Sequence, residues 1–293
     1  MFTIVGNGAI GNLLAFQCDN ANLDYRVIAR LPRPSKLNCK TNNSHIVIKP
    51  NYQSSQSMIN DGIFILPLKA YQIMPAIEQF KSLIGPDVPV MLLHNGMVNH
   101  DLILQHLDSN PVIVATTSYG AFKSQTDTLN VTGMGITQAG WLRDSDDNIY
   151  YQGLFENVLP PCSWHKNILE ILWRKLAVNC VINPLTALHN IKNGELAAAE
   201  YRSQITEITL EITNLMTELR LSVTQKELFE NCMLVIEKTA SNYSSMHQDI
   251  QKRRRTENEN ISGYVVSQGE VVGIPTPLNE HLYQQIKKIE THF

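Results

Sequence analysis

A lysine and two asparagines recur at intervals of four in the stretch Leu172–Leu196, LWRKLAVNCVINPLTALHNIKNGEL. At 100° per residue on a helix, Lys175, Asn179 and Asn183 fall within an arc of about 80° on one face. Leu172 and Leu176 lie alongside them, and Ala177, Val178, Cys180, Val181 and Ile182 cover the rest of the circumference. A helix that is apolar nearly all round is a buried helix. Polar groups inside it need partners, because an unpaired buried amide costs about 2–7 kcal/mol and a bare charge more. Two readings stand open. In one, these groups cap neighbouring helices, and Asn183, which precedes Pro184, is placed to begin a new helix there. In the other, the stripe is one wall of a wet polar pocket, with the lysine facing a substrate.

A second constellation opens the chain. Phe2-Thr3-Ile4-Val5 reads as a strand, Gly6-Asn7-Gly8-Ala9-Ile10-Gly11 follows at once, and a helical pattern runs on through Leu13, Leu14, Phe16 and Gln17. Strand, G-x-G-x-x-G, helix is the context that gives this motif meaning as a dinucleotide-binding turn. Gly6 permits the tight turn, Gly8 lets the backbone approach a pyrophosphate, and Gly11 allows close helix–strand packing. The helix N-terminus offers its N–H groups to the anion. The next strand, Tyr25–Ala29, ends at Arg30 with Arg33 three residues on, and no acidic residue stands from Ala29 through Asn38. An acidic residue there would serve the ribose hydroxyls of NAD, whereas an arginine suits a 2′-phosphate, so NADP is favoured. The plainer alternative is a surface arginine in a loop.

These residues need elements to position them. Buried-strand runs at Gly62–Leu68, Val88–Leu93 and Val112–Ala115 alternate with helical patterns at Ala70–Leu83 and Val98–Leu107, which is a βαβ series with a mostly parallel sheet. Lys69 and Asn95 follow the carboxyl ends of two of those strands, where such sheets bind ligands. Asn38–Asn60 is a polar patch around a strand-like His45–Ile48. Leu129–Gly140 suggests antiparallel strands added to the sheet, and Cys162–His165 reads as a last short strand. From Asn167 onward the period changes from 2 to 3.6. Glu195–Leu221, Gln225–Thr239 and Leu278–Glu290 read as helices, with Ile205, Ile208, Ile212 and Leu215 on a core face. The basic run Lys252–Arg255 reads as a solvated helix face.

Composition bounds the rest. The 293 residues suit two domains, and a net charge of -3 argues against non-specific nucleic-acid binding. The five cysteines, 18, 39, 162, 180 and 232, show neither metal-ligand nor redox-motif spacing. With no basic leader and no apolar run near the ~20 residues of a membrane span, a soluble cytoplasmic protein is expected.

Gly6–Gly11, His94-Asn95-Gly96-Met97, and Leu172–Leu196 with Thr256-Glu257 together resemble the ketopantoate reductase (2-dehydropantoate 2-reductase) family, over a span from the first strand to about Val265. The resemblance implies a Rossmann domain over 1–166 and an all-helical domain over 167–293, like that of 6-phosphogluconate dehydrogenase, with the active site in the cleft between them. It implies NADPH-dependent reduction of 2-dehydropantoate to pantoate, in the synthesis of pantothenate and coenzyme A. Lys175 would be the general acid and Glu257 a carboxylate near the reacting oxygen that also meets the cofactor. Asn179, Asn183, Asn193 and Ser245, with Asn95, would line the substrate. Arg30 and Lys69 would hold the NADP phosphate end, with Asn95 near the nicotinamide and the turn Gly6, Asn7, Gly8, Ala9, Ile10 and Gly11 at the pyrophosphate. No metal is implied. A small 2-keto acid is the partner, with no nucleic acid and no membrane, and a homodimer is compatible. Two departures stand out. Where the family continues with Ile-Asp and then Asn-Gly, this chain has Asn258-Glu259 and Ser262-Gly263. Another branched 2-keto acid is the near alternative. A dinucleotide-sensing regulator without turnover is the distant one, and Lys175 with Glu257 speaks against it.

Overall fold

Short runs in which every side chain is buried belong to a sheet covered on both faces. In the computed structural model, which describes residues 1–54, 57–143 and 148–293, such runs are β1 (Phe2–Val5), β2 (Tyr25–Ile28), β5 (Ile63–Leu66) and β6 (Val90–Leu93). Residues 55 and 56 of the expected polar patch lie outside the described residues. With β7 (Val112–Thr117), β10 (Thr137–Trp141) and β11 (Cys162–Trp164), these strands form a seven-stranded sheet in the order β11-β10-β7-β6-β5-β1-β2. All neighbours are parallel except β10 against β7. The helices between are α1 (Ala9–Asn20), α2 (Ala70–Phe80), α3 (His100–His106) and α4 (Asn148–Val158).

The expected addition at Leu129–Gly140 is only partly correct. β10 joins the main sheet, but β9 (Thr128–Gly133) does not. It belongs to a separate four-stranded sheet, β4-β3-β9-β8, with β3 (Leu37–Lys40), β4 (His45–Ile48) and β8 (Gly120–Gln125). This smaller sheet packs on α1 through β8 and β9. Leu37, Cys39 and Leu129 share one core with Leu13, Leu14 and Phe16 of α1. The two parallel partners β3 and β9 are separated by more than 80 residues, |i−j| being 89 for Asn38 and Asp127, which is why local pattern does not reveal the pairing.

The glycines of the first turn behave as their positions require. Gly6 has φ +97°, in the region where side chains are strained. A Cβ on Gly11 would meet the carbonyl oxygen of Gly6 at 2.2 Å, so the helix lies against the end of the strand only because Gly11 has none. A Cβ on Gly8 would meet nothing within 4 Å.

The chain divides into two compact units, Met1–Asn95 with Asn99–Ile168, and Gly96–Val98 with Leu169–Phe293. The second is helical: α5 (Ile168–His189), α6 (Arg202–Glu218), α7 (Gln225–Lys238), α8 (Ser245–Gln251), α9 (Ser262–Val272) and α10 (Pro277–Glu290). Two expectations are corrected. The stretch expected as helical from Glu195 starts with 3₁₀ turns at Asn193–Ala197 and Ala199–Tyr201, and α6 begins only at Arg202. No new helix begins at Pro184, which lies inside α5. A proline in a helix interior costs about 3 kcal/mol. Burial of Val181, Ile182 and Leu185 around it outweighs that at about 1.5–3 kcal/mol each. Thr186 also returns its hydroxyl to the carbonyl of Ile182 at 2.6 Å.

Helix α5 is the centre of this unit. Trp173 meets Tyr264 of α9 at 5.7 Å between ring centroids, and Cys180 lies beside Cys232 of α7. Thr186 bonds Ser244, the N-cap of α8, at 2.8 Å. Glu211 of α6 is buried and accepts from the backbone of Leu278 and Asn279 at 2.7 and 3.0 Å, holding the N-terminus of α10. Among the described residues, no helix is long and apolar enough to cross a membrane.

Gly11→Ala is expected to cost about 1–3 kcal/mol by overpacking, while Gly8→Ala, which meets open space, should cost less than about 1 kcal/mol. Chemical denaturation of both variants checks this. Equal stability for the two would show that the α1–β1 approach can relax without loss.

Candidate functional site

In the helical unit the row Lys175, Asn179, Asn183 runs along one face of α5. Asn183 is buried, and Lys175 and Asn179 are half-buried. Two influences oppose each other at the lysine. Burial disfavours its charge and pushes its pKa down to about 8, and Glu257 pulls it back up. That carboxylate is 4% exposed. The segment carrying it is pinned from α10: the Thr256 N–H donates to Glu290 at 2.6 Å and the Asn258 amide to the Tyr283 carbonyl at 2.9 Å. The adjacent 3₁₀ turn Asn258–Asn260 is tied to Gly96–Val98. Met97 donates its N–H to the Asn260 carbonyl, and the Asn260 amide donates to the Met97 carbonyl, both at 2.8 Å. Gly96 has φ +69°, and a Cβ there would lie 2.6 Å from that same Asn260 oxygen.

Of the other polar residues implied for the substrate side, Asn193 and Ser245 sit on the same unit, and Asn95 belongs to the first. Asn193 begins a 3₁₀ turn, buried, its amide donating to Thr239 Oγ1 at 2.9 Å. Its Oδ1 is buried without a hydrogen-bond partner among the described residues. Ser245 is the first residue of α8 and exposed. The two departures are explained locally. Glu259 accepts from the Tyr283 hydroxyl at 2.6 Å, and Ser262 is wholly buried at the start of α9 beside Cys180.

In the first unit a cavity of about 430 Å³ opens at the ends of β1 and β2. Gly6, Ala29, Arg30 and Arg33 line one side, and Tyr71, Pro75 and Gln79 of α2 line the other. No acidic residue is among its lining. Arg30 is exposed, and Arg33 bonds the Ala29 carbonyl at 2.7 Å. Asn7 turns its side chain away to the Pro32 carbonyl at 2.9 Å, tying the glycine turn to the loop after β2. Ala9 and Ile10 form the first turn of α1. Lys69 caps α2, its N–H held by Gln72 at 3.2 Å, and is outside the lining of this cavity. Asn95 follows β6. The contribution of α2 was missed in the sequence, although Tyr71, Pro75 and Gln79 at intervals of four are a signal for one helix face. Among the described residues, no group of His, Cys, Asp or Glu could hold a metal ion.

The two halves of the chain each match a family profile, ketopantoate reductase PanE/ApbA over residues 2–144 and its C-terminal counterpart over 167–290. The chain belongs to the ketopantoate reductase family. A relative from Vibrio cholerae, 2-dehydropantoate 2-reductase, is 36% identical over 288 residues, covering 98% of this chain and 97% of that one. A PanE/ApbA family ketopantoate reductase from Ralstonia eutropha shares the fold at a TM-score of 0.90 and 20% identity, covering 100% of this chain and 99% of that one. D-mandelate dehydrogenase with NADH and anilino(oxo)acetate does so at 0.89 and 20%, with the same coverage.

The basic run is solvated but not on a helix face, which corrects the expectation. Helix α8 ends at Gln251, and Lys252–Arg255 lie exposed in the turn beyond it, with Arg253 at φ +49°. Lys252→Gln with Arg253→Asn should therefore leave stability within about 0.5 kcal/mol of the parent. A fall of more than about 5 °C in melting temperature would show that these charges hold the turn.

Proposed function

We propose that this protein reduces 2-dehydropantoate to pantoate with NADPH, and that Lys175 is the general acid. The observation that carries the reading is the half-buried ammonium of Lys175 on an otherwise apolar helix, held in its charged form by Glu257 and brought to a pKa of about 8. A group poised there is protonated at neutral pH and gives its proton up readily. Reduction of a 2-keto carbon leaves negative charge on its oxygen. A lysine facing that oxygen stabilises the charge and then protonates it, giving the 2-hydroxy acid.

The remaining residues orient and bind. Asn179, Asn183, Asn193 and Ser245 supply hydrogen bonds without adding charge, and the unpartnered Oδ1 of Asn193 supports a place for a ligand donor. The first unit fits a dinucleotide. Open space at Gly8 admits a pyrophosphate, and the acid-free cavity with Arg30 and Arg33 suits a 2′-phosphate. Lys69 assists at the phosphate end, and Asn95 lies towards the nicotinamide. The nicotinamide, when bound, supplies the hydride. The same fold serves D-mandelate dehydrogenase with NADH and a different oxo acid, so fold alone does not select the substrate. Consumption of NADPH with 2-dehydropantoate, set against a panel of branched 2-keto acids, tests the choice. A larger kcat/KM for another member of the panel would replace the named substrate.

These roles can be separated by substitution. A charge-assisted contact contributes about 1.5–3 kcal/mol, so Arg30→Ala should raise the NADPH dissociation constant roughly 10- to 150-fold. NADH binding should change little, and equal loss for both cofactors would make Arg30 structural.

Lys175→Met should lower kcat by about 10²–10⁴-fold while NADPH still binds. In the parent, reduction should decline as pH rises through about 8, where the acid loses its proton. Glu257→Gln removes the pull on the ammonium and should move that decline to lower pH. Stability gives an independent check. The folded lysine releases its proton at about 8 and the unfolded one near 10.5, so the unfolded chain binds more protons between those values. The parent should thus gain stability relative to Lys175→Met across that window. A folded Lys175→Met protein that turns over at the parent rate would end the assignment.

A further inference from the structure

Lys123 lies in β8, in the smaller sheet, yet its Nζ donates to the carbonyl oxygen of Asn7 at 3.1 Å. Asn7 is the second residue of the glycine turn, between Gly6 and Gly8. The ammonium is half-buried, burial lowers its pKa, and no carboxylate offsets that among the described residues. An ammonium has three donors, and this bond uses one. The N-terminus of α1, which starts at Ala9, is the positive end of its dipole. Two positive features thus stand at one turn with no negative partner among the described residues, beside the space that Gly8 leaves open. A half-buried ammonium with two donors left over, beside a helix N-terminus and open space, is placed to bond an anion there.

We propose that Lys123 is a further cofactor-binding residue, supplying positive charge to the dinucleotide pyrophosphate at the Gly6–Gly11 turn. The inference rests on the dinucleotide reading given above. Arg30, in the loop after β2, answers the 2′-phosphate, and Lys123, from β8 of the smaller sheet, answers the pyrophosphate.

Calorimetric titration with four ligands separates these roles. NADPH, NADH and ADP-ribose carry the pyrophosphate; adenosine 2′-monophosphate carries only the 2′-phosphate. Lys123→Met should weaken the first three about 10-fold each and leave the fourth within about twofold. Lys123→Gln keeps a donor for the Asn7 carbonyl but no charge, and should behave like Lys123→Met. Lys123→Arg keeps the charge and should bind within about threefold of the parent. Arg30→Ala should show the opposite pattern, losing NADPH and the monophosphate while keeping NADH and ADP-ribose. Unchanged ADP-ribose binding in Lys123→Met would overturn the proposal. So would parent-like binding in Lys123→Gln, or equal loss of all four ligands, since each makes Lys123 a brace for the turn. Failure of the parent to bind any dinucleotide would overturn the dinucleotide reading as well, and is distinct from the other results.

Discussion

A charge placed on a helix that is otherwise apolar has to be kept company, and the helical unit is arranged around that need. Lys175 loses hydration on α5 and regains part of the loss from Glu257. A carboxylate 4% exposed is itself costly to bury, so the segment bearing it must be fixed well enough for the two to remain together. That explains the density of backbone ties at 256–260. Glu290 and Tyr283 of α10 hold Thr256 and Asn258, and Asn260 is bonded twice to Met97. Glu211 then fixes α10 from α6. Each of these links acts on the lysine through the position of its partner. A substitution far from Lys175, at Glu290 for example, should therefore be felt as a change in its acidity before it is felt as a loss of fold.

Much of this was legible in the sequence because the periodicities were strong. The strand–glycine turn–helix opening and the βαβ alternation follow from apolar runs of strand length separated by helical ones. The row Lys175, Asn179, Asn183 follows from a spacing of four. Of the two readings left open there, the cap at Asn183 fails, because α5 continues through Pro184. Local rules weigh a proline as a helix breaker. They cannot weigh the burial of Val181, Ile182, Leu185 and Thr186, which depends on what surrounds the helix.

Other features were hidden for different reasons. β3 was lost inside a polar stretch, and its parallel pairing with β9 is long-range, so neither hydrophobicity nor turn chemistry announces it. Helix α4, NIYYQGLFENV, has too few aliphatic positions to show a clear face, although Phe155 and Val158 are fully buried. The start of α6 was overrun because two 3₁₀ turns precede it in a sequence of good helix formers, Glu195 to Ala199. For the site, Arg30 could be read from its place after a strand. Lys123 could not, since nothing in FKSQ marks a lysine that will reach a turn more than a hundred residues earlier.

The two units place charge in opposite ways, and the contrast is physically coherent. In the first unit the cations at the cavity and the glycine turn are Arg30, Arg33 and Lys123; the cavity lining holds no acidic residue, and among the described residues Lys123 bonds only a carbonyl. With no carboxylate in the cavity lining, the charge of Arg30 and Arg33 is not neutralised there. In the second unit the cation Lys175 is answered internally by Glu257. Were it unanswered, burial alone would push its pKa lower and leave it neutral too early to serve as an acid. Were it matched by a fully exposed, strongly hydrated ion pair, its pKa would stay near 10.5 and proton transfer would be slow to release. A value of about 8 needs both the dry helix and the single carboxylate. Arg33 and Lys123 of the first unit thus meet neutral carbonyls among the described residues, whereas Lys175 of the second meets a carboxylate.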